Sequence, residues 1–309
     1  MTGRAIAAAH SRPLAWKPHV ALLPPQAPLR HEADPGERGG AAVCRGQWAV
    51  EVACGHGVGV MSAMSRALEV AANSVASAEA AQAGGATRVE LCAALELGGL
   101  TPSAAQIALV RERLSIPVHV LVRPRAGDFA YSAQEHRTML ADVAHCVAAG
   151  CDGVVFGALT DSGEVDVTRC RELVDAAGTL ATTFHRAIDV SRDMAEALEA
   201  VIDLRFTRVL SSGGAASALE GAPVLRALIR QAADRIVVMP GAGLHAGNVA
   251  DLAAVTGARE FHASARRALP SRMASPGRRA PGMEEGEIRS SEDEVRRLVV
   301  ALRDGAPST

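Results

Sequence analysis

Lysine is all but missing: Lys17 is the only one in 309 residues, and every other basic side chain apart from histidine is arginine. A mechanism that needs an active-site amine as covalent nucleophile is thereby excluded from the main domain. That removes Schiff-base aldolases and pyridoxal-phosphate chemistry, and no lysine-dependent cofactor is expected. Cysteine is sparse and unpatterned. The six thiols, Cys44, Cys54, Cys92, Cys146, Cys151 and Cys170, form no CxxC or CxxH spacing. Neither a zinc knuckle nor a disulfide framework is indicated, and a reducing cytoplasm is the expected location. The formal net charge is only −2, which offers no long-range reason to bind nucleic acid or an acidic membrane. No apolar run approaches the ~20 residues needed to span a bilayer, and no secretory leader is apparent. The default partner is a small molecule.

What is present is a core-forming composition, 49% hydrophobic and 21% charged. Residues 1–65 are rich in Ala, Pro, Gly and Arg without a sustained period, which predicts a disordered or non-native extension. A basic targeting peptide is opposed by Pro24-Pro25, and translation from Met61 or Met64 is another option. From residue 66 to 305 the pattern changes to short apolar strands, each followed by turn residues and an Ala/Leu-rich helix. Eight strands are predicted, starting at Ala67, Arg88, Pro117, Gly153, Ala181, Arg208, Arg235 and Glu260. Parallel strands need helical crossovers, and about 250 residues close a ring of eight, so the predicted fold is α/β, a single (β/α)8 TIM barrel. A doubly wound sheet is the rival. It is disfavoured because no GxGxxG follows the first strand, while Gly-rich turns follow the sixth and seventh. "SEDEVRRLVVALRD" reads as the eighth helix, capped by Ser290 or Ser291, after a long mobile loop.

In a barrel strand one parity faces the helices and is apolar, and the other faces inward and can carry chemistry. "RVELCA" sorts Val89 and Leu91 outward, Glu90 and Cys92 inward. The same sorting turns Glu69, Asn73, His119, Arg123, Thr183, His185, His262 and Ser264 inward. Burying such groups is costly unless they pair with one another or serve a ligand. The alternatives are a self-satisfied ion-pair network and an active site. In the second case Glu69 or Glu90 is the candidate general base, His185 the acid or electrophile and Arg123 an anion clamp. "SSGG" (Ser211, Ser212, Gly213) and "GAG" (Gly241, Gly243), followed by Asn248, offer backbone N–H groups to a phosphate or carboxylate. His119, early on its strand, reads as structural.

"RVELCAALELGGLTPS", "IPVHVLVRPRAGDFAYS", "TFHRAID", "RVLSSGG" and "GAG" followed by "FHASA" together resemble the CutC copper homeostasis family, over about Ala67 to Ala265. The resemblance implies a cytoplasmic barrel, a homodimer and binding of copper(I), with Cys92 as metal-ligand position. It also implies that Arg123, Arg125, Asp128, His185 and Arg186 line the mouth, with Arg125 and Arg186 as candidate anion-binding residues. Relatives carry a cysteine after the first-strand glutamate where this chain has Ala71 and Ala72, and "HSSA" is "HASA" here. Copper(I) prefers soft sulfur donors, so one thiolate with histidine help is a weaker site than two. The alternative function is a lyase, isomerase or hydrolase acting on a small anionic or phosphorylated metabolite.

Overall fold

Short apolar strands alternate with capped helices from Ala67 onward, in the order β1 (Ala67–Ala72), α1 (Val75–Ala83), β2 (Arg88–Leu91), α2 (Ala104–Arg113), β3 (Val118–Leu121), α3 (Ala133–Ala148), β4 (Gly153–Phe156) and α4 (Val167–Ala177). The second half repeats this with β5 (Ala181–Phe184), α5 (Met194–Asp203), β6 (Arg208–Ser211), α6 (Ala222–Ala232), β7 (Val237–Pro240), α7 (Val249–Thr256), β8 (Glu260–Ala263) and α8 (Glu292–Asp304). The computed structural model describes residues 66–273 and 286–304. The extension expected over residues 1–65 and part of the loop expected after the eighth strand lie outside the described residues.

Helix starts follow from local chemistry. Ser74, Ser103, Ser132, Asp166 and Asp193 each accept a backbone N–H of the first turn, and Ser132 with Glu135 forms a reciprocal capping box. Pro102 stands just before the Ser103 cap.

The strands pair in parallel in the order β7-β6-β5-β4-β3-β2-β1-β8. A parallel bridge between Gly241 and His262 joins the two ends, closing the ring expected from the sequence. The main apolar core lies between strands and helices and takes Leu68, Val70, Val89, Leu91, Val118, Val120, Phe156, Phe184, Val209 and Phe261. The opposite parity faces the barrel axis, where Cys92, Leu121 and Val155 form a separate small cluster with Leu95 packed against it.

The sequence differs from the structure in one segment. The stretch read as a loop after β8 contains β9 (Arg266–Leu269) and β10 (Glu287–Ser290), paired antiparallel as a ribbon. The ribbon is tied to the end of β1: Asn73 Nδ2 donates to Ile288 O at 2.8 Å, and Ser290 Oγ donates to Ala71 O at 3.1 Å. Asn73, expected inside the barrel, therefore serves this tether, because β1 ends at Ala72. Ser290 is likewise spent on β1, and Ser291 is the residue that immediately precedes α8, its carbonyl accepting Val295 N at 3.0 Å.

Candidate active site

The inward residues form layers, and the lowest is a closed set of ion pairs. Arg88 Nε donates to Glu69 Oε2 at 2.5 Å and Arg88 Nη2 to Glu260 Oε2 at 2.8 Å, while Arg208 Nε reaches the same Glu260 oxygen at 2.7 Å. Burial alone would raise the Glu69 carboxyl. The Arg88 guanidinium and then the His262 hydrogen bond outweigh it and hold Glu69 far below the usual carboxylate range. His119 stands beside this set, its Nδ1 3.9 Å from Glu69 Oε2, too far for a hydrogen bond. Burial lowers its imidazole to about 4, so it is neutral. Room for that ring exists because β4 contributes Gly153: a Cβ there would come within 2.6 Å of His119 Cδ2. Arg88, Arg208 and Glu260 were not singled out from the sequence, although Arg88 and Glu260 stand two residues before Glu90 and His262 and share their inward parity.

One layer up, His262 joins the two glutamates. Its Nδ1 lies 2.7 Å from Glu69 Oε1 and its Nε2 3.7 Å from Glu90 Oε2. Ligand atoms of Glu69, Glu90 and His262 all lie within 4.8 Å of one another. Burial would lower the His262 imidazole, but the charge of Glu90 and the hydrogen bond to Glu69 outweigh it and raise the ring above its ordinary value. Nδ1–H then donates to Glu69, and Nε2 is aimed at Glu90. Burial pushes the Glu90 carboxyl up; His262 opposes the rise, the Glu69 charge adds to it, and the result is about 7. One glutamate is locked as an anion by an arginine and a histidine. The other is left to titrate near neutrality.

The segments just beyond β3 and β5 supply Arg123 and His185. His185 Nδ1 accepts the Ala187 N–H at 3.3 Å, and its buried Nε2 has no partner among the described residues. Burial and then the Arg123 charge lower this imidazole to about 3, so it is neutral with its proton on Nε2. It can donate a hydrogen bond but is a poor acid. Its place depends on Gly157, where a Cβ would lie 2.8 Å from His185 Nδ1. Arg123 clamps the loops, donating to Leu97 O, Gly99 O and Gly127 O, with its guanidinium carbon 5.1 Å from the Phe129 ring centre. Cys92 is fully buried. Its Sγ lies 3.6 Å from Ala72 O, and burial, then Glu90 and Glu96, push the thiol well above its ordinary pKa.

The residues expected to bind an anion divide. Asp189, four residues after His185, inserts its carboxylate into the "SSGG" turn, accepting from Ser211 Oγ at 2.6 Å, Ser212 N at 3.0 Å, Gly214 N at 3.2 Å and Ser212 Oγ at 3.0 Å. The Gly213 N–H is taken by Ser211 Oγ at 2.8 Å. The anion at Ser211, Ser212 and Gly213 is thus the chain's own. Arg186 braces it, with Nε 2.7 Å from Asp189 Oδ2 and Nη2 3.0 Å from Ser212 Oγ. Arg125 donates to Glu135, Asp128 and Ala130 O, holding the "RPRAGDFAYS" loop; neither it nor Asp128 lines the cavities at the mouth. On the other side, the β7 turn keeps Gly243 on a cavity wall, and Asn248 accepts from His245 N and donates to Gly243 O.

Two adjoining cavities open at the mouth. One of about 280 Å³ is lined by Glu90, Cys92, Leu121, Arg123, Phe129, His185 and Asp189. The other, about 460 Å³, is lined by Gly243, His245, Ser264 and Arg266 among others. Ala71, Leu95, Arg186 and His262 line both. The volumes suit a small organic ligand; His262 borders both cavities, and Glu90, beside it, lines the smaller. A buried base near neutral pKa, an imidazole fixed by a carboxylate and a neutral N–H donor can move a proton on a bound molecule.

The model of the CutC family matches residues 66–267. A CutC protein of Xylella fastidiosa is 54% identical over 262 residues, covering 85% of this chain and 94% of the relative. One from Xanthomonas campestris pv. campestris is 59% identical over 209 residues, covering 68% and 87%. Among solved structures, a CutC copper homeostasis protein of Streptococcus agalactiae aligns with a TM-score of 0.62 at 31% identity, over 64% of this chain and 98% of that one. A Rubisco-like protein of Rhodopseudomonas palustris, 14% identical with a TM-score of 0.52 over 80% of this chain and 67% of its own, shares the barrel fold alone. With its barrel matched by the family model and relatives above half identity across most of its length, the chain belongs to the CutC family.

Proposed function

We propose that this barrel is an enzyme that removes and returns a proton beside a carbonyl of a small anionic metabolite, an isomerase or lyase. The observation that carries this reading is the Glu69–His262–Glu90 arrangement, in which His262 borders both cavities, Glu90 lines the smaller and Glu69 is buried behind them. Glu90, with a carboxyl at about 7, takes the C–H proton. His262, steadied on Glu69, or the neutral Nε2–H of His185 donates to the oxygen on which negative charge develops. Glu69 stays an anion throughout, because Arg88 and His262 hold both its oxygens. A base poised near the working pH contributes about 10²–10⁴ in rate. The test is deuterium wash-in: small keto and aldehydo acids and phosphates incubated with the protein in heavy water, read by NMR. Exchange that is lost in Glu90→Gln supports the reading; exchange equal to the uncatalysed rate across the panel, or unchanged in Glu90→Gln, removes it.

Copper(I) binding is the second reading, favoured by the family and by Cys92 lining the same cavity as His185 and His262. The donors do not fit well. Copper(I) asks for thiolate, whereas this thiol is packed against Leu121 and Val155 and kept protonated by burial and two glutamates. Glu69, Glu90 and His262 offer mainly oxygen, which suits harder cations. A copper(I) titration against a chromophoric chelator decides it: a site present in the wild type and lost in Cys92→Ala would restore this reading. The four free cysteines among the described residues, Cys92, Cys146, Cys151 and Cys170, support a cytoplasmic setting. No helix among the described residues is long and apolar enough to cross a membrane. A homodimer, supported by the family resemblance, completes the reading, and light scattering checks it.

A further inference from the structure

We infer that the substrate is an amphipathic anion, with an apolar body seated against Leu121, Phe129 and Cys92 and a phosphate or carboxylate held by Arg186 and Arg266 on the β7–β8 side of the mouth. This rests on the reading of the mouth as a proton-transfer site and adds the class of molecule that fills it.

The two cavities differ in character. The smaller is walled on the β2–β3 side by Cys92, Leu95, Leu121 and Phe129, with Val190 and Leu210 opposite, and the Arg123 on its wall already donates to Leu97 O, Gly99 O and Gly127 O. The larger carries Arg186, His245 and Arg266 with Ser264 and Gly243, and the acidic residue on its wall, Glu294, is already ion-paired with Arg297. An apolar ligand confined to the first would leave Arg266 without a counter-charge among the described residues, since Arg186 alone is paired, with Asp189, and an inorganic anion in the second would leave the first unfilled.

The position of the anion follows from what is already occupied. The turn after β6 presents its N–H and hydroxyl donors to Asp189, so an external anion finds them spent. Arg186 commits Nε to Asp189 and Nη2 to Ser212, and its Nη1 makes no hydrogen bond among the described residues. The guanidinium is therefore fixed along one edge while a donor remains, and its side chain borders both cavities. A fixed guanidinium with spare donors is suited to phosphate or carboxylate. Arg266, first residue of β9, adds a second cation from the ribbon. His262 borders both cavities and Glu90 lines the smaller beside it, which places the reacting carbon at the join of body and anion.

Calorimetry on the full chain tests this with four probes: phenyl phosphate and phenylacetate, which carry both halves, and inorganic phosphate and phenol, which carry one each. A two-part probe is expected to bind at least about tenfold more tightly than either half, and Arg266→Ala and Arg186→Ala each to weaken it by about tenfold or more. Which two-part probe is tighter identifies phosphate or carboxylate as the anion. Inorganic phosphate binding as tightly as phenyl phosphate, neither two-part probe binding, or an Arg266→Ala variant with unchanged affinity would overturn the assignment; the exposed position of Arg266 keeps that variant folded. Phenyl phosphate has no proton beside a carbonyl, so its binding reads the substrate class independently of chemistry. Tight binding with no exchange activity on any carbonyl compound removes the proton-transfer reading alone.

Discussion

The floor of the barrel and its mouth are built from the same residue types and behave in opposite ways. On the floor, Arg88 and Arg208 meet Glu69 and Glu260 at 2.5–2.8 Å, each charge answered by another. At the mouth, Glu90 has an imidazole nitrogen no closer than 3.7 Å, and the His185 Nε2 has no partner. Burial is costly in both places, and on the floor the carboxylates and guanidiniums offset it with one another, even though Arg208 Nη1 and His119 Nδ1 there have no partner among the described residues. The compensated layer is scaffolding; the uncompensated one is where a ligand supplies what is missing.

The most forceful way to break that contrast is to remove a floor charge. Arg88→Met leaves Glu69 and Glu260 short of a partner, and the expected loss is about 3–5 kcal/mol in denaturant unfolding. Next in size, Glu90→Gln is expected to lower the deuterium wash-in rate about 10²–10⁴-fold, with no loss of stability at neutral pH. The same variant sharpens the comparison through pH. The Glu90 carboxyl is raised from 4.5 to about 7 on folding, so it favours the fold fully below 4.5 and loses that contribution as pH rises to about 7. Glu69, lowered on folding, runs the other way and loses its contribution as pH falls below 4.5. The stability of Glu90→Gln relative to wild type should therefore climb between those two values and stay level above. Gly157→Ala places a methyl against His185 and is expected to cost about 1–3 kcal/mol in thermal or denaturant unfolding while reducing exchange. Cys92→Ala should be the mildest, about 1 kcal/mol from a small apolar void, with exchange retained.

Much of this was legible in the sequence because a strand has a period of two. Val89 and Leu91 go to the helices, and Glu90 and Cys92 therefore go inward, with no knowledge of partners required. The eight strands, the closed ring and the burial of Glu69, Glu90, Arg123 and His185 follow from that alternation. Pairing across the ring is what sequence conceals. Arg88 and Glu260 meet across 172 positions, and Asp189 reaches a turn 22 residues on to fill a cradle whose glycines read as open. The β9–β10 ribbon was missed because "RRAL" and "EIRS" carry no apolar alternation; the tether to Ala71 and Asn73 holds it instead.

The central claim, that Glu90 is held ready to exchange a proton at neutral pH while Glu69 is locked as an anion, is open to direct observation. With 13C-labelled glutamate, and the Glu90 side-chain carboxyl resonance assigned by its disappearance in Glu90→Gln, an NMR titration should find its midpoint at about 7, with Glu69 ionised across the whole range in which the protein stays folded. A Glu90 midpoint at its ordinary 4.5 would contradict the claim.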